Sequence, residues 1–431
     1  MTRAPEARVP YAPVVPSATS VPARSAAGPT TVSERLPLLD AIRGMALGGI
    51  LLANLTSFFG ADMLDAAGRA AQPAAAVGQA VLFGVDWLVE GKFYSVFSML
   101  FGIGFALQAA RADARGTDIG PFFRRRMAVL VLIGLTHMYA LWAGDILLLY
   151  GVMGLLLPWL WRWPLPSRLA AMAGLFTLPF ATHLMVWLSI GALDPRAPFA
   201  AVGAALREGF GIASRSTLDL FARGSSLDYW AWNTAYAVVR PGTYLQAGRP
   251  AKVLALFLLG AWLATTVLPR LAGSRRLLWR TAWLGGTLGL LASGVYAAIK
   301  AEARSTFELS GVGLVQTAAY TLGTTPLALA YMAVAALAWQ RAAWQARLAW
   351  FVPLGRMALS VYLTQTLLQL LLFSSHGARL AGRLPIALLP VVALAILVTQ
   401  QGVCRWWLAR HAQGPVEWIW RRATYGRTIR P

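Results

Sequence analysis

"LDAIRGMALGGILLANL" (Leu39–Leu55) has the length and apolar character of a membrane-spanning helix, yet it contains a carboxylate, a guanidinium and an amide. These groups belong to Asp40, Arg43 and Asn54. At 100° per residue, Arg43 and Asn54 project within about 20° of each other and Asp40 lies about 40° from Asn54, so all three share one stripe. A charge at mid-bilayer costs about 2.5–3.5 kcal/mol on insertion scales. The stripe is therefore expected to face protein or water rather than lipid.

Long apolar blocks recur along the whole chain. It has 431 residues, of which 58% are hydrophobic and 13% are charged. Blocks of about 20 apolar residues can each cross a hydrocarbon core of roughly 30 Å. The sequence predicts an all-α polytopic membrane protein with about ten transmembrane helices, over 36–58, 78–110, 126–142, 145–163, 168–190, 252–269, 278–299, 311–339, 349–373 and 385–408. The block 78–110 is long for one span, and the pattern leaves open whether it is one helix or two joined at Glu90-Gly91.

The distribution of basic residues predicts the topology, because Lys and Arg resist translocation. With the N-terminus and the C-terminus both cytoplasmic, 23 Lys and Arg residues lie on the inner side and 12 on the outer side. A formal net charge of +21 in a soluble protein would suggest nucleic acid. Here the Arg residues flank the spans, so we expect them to set the topology and to meet lipid headgroups, with no nucleic-acid partner.

Composition also divides the chain into segments. Residues 1–33, rich in Pro, Ala, Ser and Val, predict a disordered cytoplasmic tail. Residues 34–190 are predicted to form an N-terminal five-helix membrane half, and 252–431 a C-terminal membrane half with a basic cytoplasmic tail. The outer loop 191–251 is rich in Trp and Tyr, which favours an interfacial belt and leaves a substrate lid as the alternative.

Three more charged residues interrupt apolar blocks and are candidate substrate-binding residues. Glu90 and Lys92 either reach toward the interface from a helix break at Gly91, or Lys92 joins the polar cavity of the first helix. Arg356, near the inner end of its block, either snorkels to headgroups or binds an anion together with Arg43. For Asp40 and Arg43, the alternative is an ion pair that only orients the helix.

"GLTHMYALWAGDILLLYGVMGLLLP" (134–158) predicts a helical hairpin whose tip lies on the outer side. His137 then lies about one and a half turns below the outer surface, and Asp145 opens the next helix. An ionisable side chain in lipid is a functional-site hypothesis by default, and a neutral imidazole can take a proton from a hydroxyl or an amine. His137 is thus a candidate catalytic base, and Asp145 either orients it or caps the helix.

Other chemistry has little support in the sequence. Cys404 is the single cysteine, so no disulfide forms within the chain, and neither metal-binding spacings nor serine-hydrolase or phosphate-loop motifs occur. We therefore expect no metal site.

Five blocks carry a family resemblance: "LLDAIRGMALGGILLANL", "EGKFYSVFSMLFGIGFALQ", "GLTHMYALWAGDILLLYGVMGLLL", "LGRMALSVYLTQT" and "QGPVEWIWRRATYG". In this order they resemble the YeiB-type bacterial membrane proteins, whose C-terminal half is known as domain of unknown function 418. One difference is the run "SVYLTQ", where Ser360 and Val361 replace the Thr and Asn of a "TNYLLQ"-like run. The resemblance covers nearly all of the chain from Leu36 to Gly426 and implies a bacterial cytoplasmic (inner) membrane protein.

More distantly, the D-x-x-R-G start of the first helix, followed by Asn54, resembles transmembrane acyltransferases of the heparan glucosaminide acetyltransferase and acyltransferase-3 types. That resemblance implies transfer of an acyl group from cytoplasmic acyl-CoA to a small-molecule or glycan acceptor at the outer face. Arg43 and Arg356 would hold the phosphates, Asn54 would polarise the thioester or position the acceptor, and His137 with Asp145 would act as base. Acyl-CoA would be a co-substrate, with no covalently bound cofactor.

Two other functions fit the same polar residues. One is a membrane transporter or exporter of a small molecule, which would use the stripe as a substrate pathway. The other is a structural or regulatory membrane protein whose polar seam serves assembly only, and a homo-oligomer is left open.

Overall fold

The structure is a computed structural model that describes residues 36–303 and 307–425; the predicted tail 1–33 lies outside these ranges. All regular elements in the described residues are helical, and no strand occurs among them. The α-helices are α1 (Pro37–Phe58), α2 (Ala66–Ala70), α3 (Ala75–Leu88), α4 (Lys92–Ala114), α5 (Ile119–Thr136), α6 (Leu147–Trp161), α7 (Leu165–Leu188), α8 (Ala197–Gly209), α9 (Ser226–Gln246), α10 (Arg249–Trp262), α11 (Arg275–Ala303), α12 (Gly311–Trp339), α13 (Ala342–Ala349), α14 (Val352–Arg356), α15 (Ala358–Phe373), α16 (Leu389–Leu408) and α17 (Pro415–Tyr425). Short π-helical turns cover His137–Leu141, Asp219–Arg223 and Leu263–Val267, and 3₁₀ turns cover Leu268–Gly273 and Ile386–Leu388.

Within the described ranges, seven helical stretches are long and apolar enough to cross a membrane. They comprise α1, α3 with α4, α7, α10 with its following turns, α11, α12, and α16 with its preceding turn. Helices α6 and α15 are apolar but shorter. The protein is therefore a multi-helix membrane protein. The predicted blocks 126–142, 145–163 and 349–373 correspond to α5 with its π turn, α6, and α13 to α15, which fall short in length or in apolar content.

The prediction of one helix over 349–373 is wrong. The chain instead forms α13, α14 and α15 in succession, with Pro353 in the first turn of α14. Gly355 of α14 packs against the backbone carbonyl of Asp40, and Gly44 of α1 packs against the carbonyl of Phe351, so that a Cβ at either glycine would clash. The interruption thus lets α14 lie directly against the polar start of α1.

Gly91 separates α3 from α4, which answers the question that block 78–110 left open. Its φ of +81° lies in the left-handed region that favours glycine. A Cβ at this position would also collide with the side chains of Tyr320 and Thr324. The break predicted at Glu90-Gly91 is therefore present, and the block 78–110 forms two helices rather than one.

The aromatic segment after α7 is mostly helical and folds onto the protein. Ser225 and Asp228 form a reciprocal capping box at the start of α9. Tyr229 and Trp232 are buried, and both rings pack against Phe221 at centroid distances of 5.8 and 5.5 Å. The belt interpretation is wrong for these two rings, which belong to the core.

Candidate functional site

A cavity of about 300 Å³ lies between α1, α4, α5, α6, α14, α15 and α17. Along α1 it extends from Leu36 to Ile50, which is about 20 Å at 1.5 Å per residue. One end, the mouth, is lined by Asp40, Arg43, Gln108, Arg111, Arg126, Arg356, Glu417 and Arg421. The rest is mostly apolar and aromatic, and its deep end is lined by Ile50, Phe97, Ile146, Leu147, Tyr150 and Tyr362. The cavity therefore joins a cationic entrance to an apolar interior.

The structure brings Arg43 and Arg356 to the same mouth, as the anion-binding alternative requires. Arg43 Nη1 pairs with Asp40 Oδ1 at 2.5 Å, and Arg356 Nη2 donates to the carbonyl of Ala412 at 3.3 Å. The helix-orienting ion pair between Asp40 and Arg43 is thus also present. The sequence did not single out Arg111, Arg126 or Arg421, which lie on three other elements of the same lining.

Helix α17 forms one wall of the mouth and is fixed to two other helices. Glu417 accepts hydrogen bonds from the backbone N–H groups of Leu359 and Ser360 at 2.7 and 3.1 Å, and so caps the start of α15. The Arg126 guanidinium lies 4.2 Å from the ring centroid of Trp420. Ser360, which differs from the expected family residue, donates its hydroxyl to Glu417 Oε2 at 2.5 Å.

His137 lies between Asp145 and Thr366, with a close contact to the carboxylate on one side and a hydrogen bond to the hydroxyl on the other. His137 Nδ1 lies 2.8 Å from Asp145 Oδ1, and His137 Nε2 lies 3.0 Å from Thr366 Oγ1. All three residues are at most 2% exposed. Nδ1 and Oδ1 do not meet hydrogen-bond geometry. Because an ionised carboxylate only accepts, their proximity nevertheless favours the Nδ1–H tautomer, which leaves Nε2 facing the hydroxyl. A base positioned by a carboxylate and aimed at a hydroxyl is the arrangement used in nucleophilic and acid–base catalysis.

Local backbone structure explains why these side chains meet. His137 begins a π-helical turn at the end of α5, a feature common at functional sites. Asp145 Oδ2 accepts from the backbone N–H of Leu148 at 2.6 Å, so this carboxylate also caps the first turn of α6. The capping interpretation of Asp145 is therefore confirmed through Oδ2, whereas Oδ1 lies beside His137 and its orienting role stays a prediction.

Helix α9 braces the turn that carries the pair. Asn233 is fully buried; it accepts from the N–H of Ala143 at 2.8 Å and donates to the carbonyl of Met138 at 3.0 Å. Tyr229 donates to the carbonyl of Leu141, and Tyr244 to that of Asp145, each at 2.5 Å. Sequence reasoning missed these residues, although an amide inside the apolar run "YWAWNTAYAVV" is the kind of signal that singled out Asn54.

The His137–Asp145 pair lies just behind the deep end of the cavity. The rings of His137 and Tyr362 are 5.2 Å apart, and Tyr362 lines the cavity. Ile146, next to Asp145 in the chain, lines it as well. His137 itself does not line the cavity, and it contacts the lining through Tyr362.

Three predicted site residues lie away from the cavity. Glu90 accepts from Lys300 Nζ at 2.8 Å, and Lys92, which is fully buried, donates to the carbonyl of Asp86 at 2.8 Å. Neither residue lines the cavity, so the alternative that places Lys92 there is wrong. Asn54 continues the lining face of α1 one turn beyond Ile50, is half-buried, and makes no side-chain hydrogen bond to any residue the structure describes.

Fold and site together define a helical membrane protein with a cation-lined cavity that ends at a buried histidine–carboxylate pair. The comparisons with known proteins confirm the YeiB-type resemblance. Residues 263–427 match the family described as "Protein of unknown function (DUF418)". The chain is similar to the uncharacterized protein YxaH of Bacillus subtilis, at 27% identity over 92% of this chain and 96% of the relative. It is also similar to the uncharacterized protein YeiB of Escherichia coli, at 28% identity over 91% of this chain and 96% of the relative.

A third relative, an uncharacterized 39.9 kDa protein of Bacillus acidopullulyticus, is 38% identical over 30% of this chain and 35% of its own length. No solved structure gives a significant match.

Proposed function

We propose that this protein is an integral-membrane acyltransferase that moves an acyl group from cytoplasmic acyl-CoA to an acceptor at the outer face. The observation that carries the proposal is the cavity, because it joins a cluster of guanidinium groups to an apolar interior that ends beside His137 and Asp145. An acyl thioester of coenzyme A has the matching parts, namely a phosphorylated carrier, an apolar chain and a reactive carbonyl.

In this proposal the mouth binds the phosphates of the carrier. Guanidinium groups bind phosphate oxygens bidentately, and each charge-assisted hydrogen bond contributes roughly 1.5–3 kcal/mol. Arg356 is suited to the role because its only side-chain hydrogen bond to a described residue is with the carbonyl of Ala412. The acyl chain then occupies the apolar part of the cavity, whose volume lies at the lower end of the range of about 300–1,000 Å³ for small-molecule pockets.

His137 is assigned the role of general base. Its Nε2 takes the proton of the acceptor hydroxyl or amine, the acceptor atom forms a bond to the acyl carbonyl carbon, and the carbon–sulfur bond breaks. The proton then passes to the departing thiolate of coenzyme A. Asp145 keeps the Nδ1–H tautomer and stabilises the imidazolium that forms between these steps. Asn54, on the same face of α1 beyond the cavity, is assigned to positioning the acceptor.

The proposal fixes an orientation. Its mouth faces the cytoplasm, which places the start of α1 and the end of α17 on the cytoplasmic side of a bacterial inner membrane. The basic residues at the mouth agree with the rule that Arg and Lys favour that side. About ten crossings follow if α5, α6 and α15 also traverse the bilayer.

The direct test incubates purified protein with a panel of acyl-CoA thioesters and measures free coenzyme A. We expect His137→Ala to reduce the rate by about 10²–10⁴-fold, the usual contribution of a positioned acid–base group. His411→Ala, at an exposed position outside the cavity lining, is the matched control. Arg356→Gln should raise KM for acyl-CoA more than it lowers kcat, whereas Arg410→Gln, an exposed Arg outside the lining, should change neither. Equal rates for wild type and His137→Ala across the panel would refute the proposal.

A further inference from the structure

A second group of cations lies on the side opposite the mouth, near the beginning of α4. Arg249 lies 5.7 Å from the ring centroid of Tyr94 and 5.0 Å from that of Tyr244. Arg240 lies over the same Tyr244 ring at 4.8 Å, and Lys252 over the same Tyr94 ring at 5.5 Å. The three side chains therefore form one cluster, called the cation cage below.

No carboxylate in the described ranges lies within 4.0 Å of any cation of the cage. The nearby carboxylates of Asp86 and Glu90 both pair with Lys300, at 2.7 and 2.8 Å. Lys252 Nζ donates to the Thr324 hydroxyl, and Arg240 Nη1 donates to the Tyr236 hydroxyl at 3.2 Å. The side chain of Arg249 makes no hydrogen bond to a described residue. Arg240 and Arg249 thus carry two positive charges that no described carboxylate within 4.0 Å neutralises, and the buried amine of Lys252 lies beside them.

Leaving such cations without an anion is costly. Lys252 is 2% exposed, and Arg240 Nε is buried with no hydrogen-bond partner. Removing a cation from water requires a counter-charge or full hydrogen bonding, and a cation–π contact replaces only part of what hydration supplied. Arg240 and Arg249 are half-buried. The guanidinium charge and the unpartnered Arg240 Nε donor together indicate an anion-binding site.

The cage is also connected to the proposed base. Tyr244, whose ring lies beneath both Arg240 and Arg249, donates its hydroxyl to the backbone carbonyl of Asp145 at 2.5 Å. One tyrosine therefore separates the cage from the carboxylate that orients His137. A ligand bound in the cage would lie next to the deep end of the cavity, on the side opposite the mouth.

We propose that the cation cage binds a phosphate group, and that this group belongs to the acceptor of the acyl chain. Phosphate fits two guanidinium groups beside a lysine amine better than a carboxylate does, because it has more acceptor oxygens and can carry a second negative charge. The acceptor is then a phosphorylated molecule on the outer side, either a phospholipid headgroup or a soluble phosphate ester. Its assignment as the acceptor rests on the proposed function, whereas the binding of phosphate does not.

The test measures thermal unfolding of the full chain in a neutral detergent with two probes. Inorganic phosphate represents a soluble phosphate, and dioctanoyl phosphatidylglycerol represents a lipid phosphate; sodium chloride at equal ionic strength is the control. We expect a saturable rise in Tm for the wild-type protein. Arg249→Gln should weaken the apparent affinity by on the order of tenfold or more, because it removes a charge-assisted contact. Arg223→Gln, which removes an exposed Arg from the same outer segment, should keep wild-type affinity.

The outcomes separate the two claims. A Tm rise that is absent in the wild-type protein, or unchanged in Arg249→Gln, overturns the cage. If Arg249→Gln does not fold, Arg249→Lys and Lys252→Met take its place and are subject to the same criterion. The probe that binds more tightly identifies the source of the phosphate. His137→Ala should retain the Tm rise. Phosphate binding by a protein without acyl-CoA turnover would support the cation cage and overturn the acyltransferase proposal. Acyl-CoA turnover without phosphate binding would support the acyltransferase proposal and overturn the cage.

Discussion

Replacing Asp145 by Asn should reverse the tautomer of His137 while leaving the fold intact. Oδ2 of the carboxylate accepts a hydrogen bond from the Leu148 N–H at 2.6 Å, and Oδ1 lies 2.8 Å from His137 Nδ1. An ionised Oδ1 can act only as an acceptor toward that nitrogen, which favours the Nδ1–H tautomer. An amide has one acceptor oxygen and one donor nitrogen. If the oxygen keeps the helix cap, the amide N–H must donate to Nδ1, and the ring proton moves to Nε2, where it can be donated to Thr366 Oγ1.

In Asp145→Asn the amide oxygen can still cap α6, so the unfolding free energy should change by only about 1 kcal/mol or less, since Asn caps nearly as well as Asp. Its Nε2, however, can no longer accept a proton, and turnover should fall by about 10²–10⁴-fold. Asp145→Ala removes the cap, worth about 1 kcal/mol, and also removes the carboxylate beside the buried ring, so it should lose more stability than the Asn variant.

The assay pairs coenzyme A release with thermal or denaturant unfolding for wild type and the two variants. The expected pattern is a stable, inactive Asn variant and an unstable, inactive Ala variant. Wild-type turnover in the Asn variant would refute the tautomer argument. A loss of stability in the Asn variant as large as that in the Ala variant would show that the carboxylate acts through packing and charge alone.

The remaining predictions concern the scaffold and the topology. Asn233→Ala should lower the unfolding free energy by about 2–4 kcal/mol, because it leaves several buried backbone groups unpaired, and denaturant unfolding measures it. A reporter fused after residue 425 should be active only in the cytoplasm, and one inserted after Ala213 only outside; exchanged activities would reject the orientation. Burial lowers the pKa of His376. The folded state disfavours the charged form of His376, so Tm should fall as the pH drops below about 6.5, the pKa of histidine in the unfolded chain. His376→Asn should weaken this dependence of Tm on pH.

Features set by local helix geometry were predictable from the sequence. The phase of α1 placed Asp40 and Arg43 on one polar face, and that face lines the cavity. The break at Gly91 was predictable because two charges flank a glycine there. His137 and Asp145 were predictable as neighbours because a short hairpin tip joins them. Each of these rests on residues less than about four helical turns apart, where spacing fixes direction.

Features that depend on packing between distant helices were not predictable in this way. Thr366 meets His137 across 229 positions and Asn233 meets Ala143 across 90, and no periodicity relates such residues. The interruption of 349–373 did have a local signal in Pro353 and Gly355, but the apolar run concealed it. The charges at 90 and 92 were misleading for a physical reason: Glu90 pairs with Lys300 and Lys92 donates to a backbone carbonyl, so other parts of the fold satisfy both groups away from the cavity.

The mouth also bears on how the protein is made. Its walls include Asp40 and Arg43 from the first described helix and Glu417 and Arg421 from the last. Chains emerge from the ribosome N-terminus first, at about 5–20 residues per second. A nascent chain therefore inserts most of its helices while the cavity is still open on one side, and only the arrival of α17 encloses it. Synthesis and insertion of α17 are therefore the step that encloses the cavity, and a chain that has not yet reached α17 has no complete mouth.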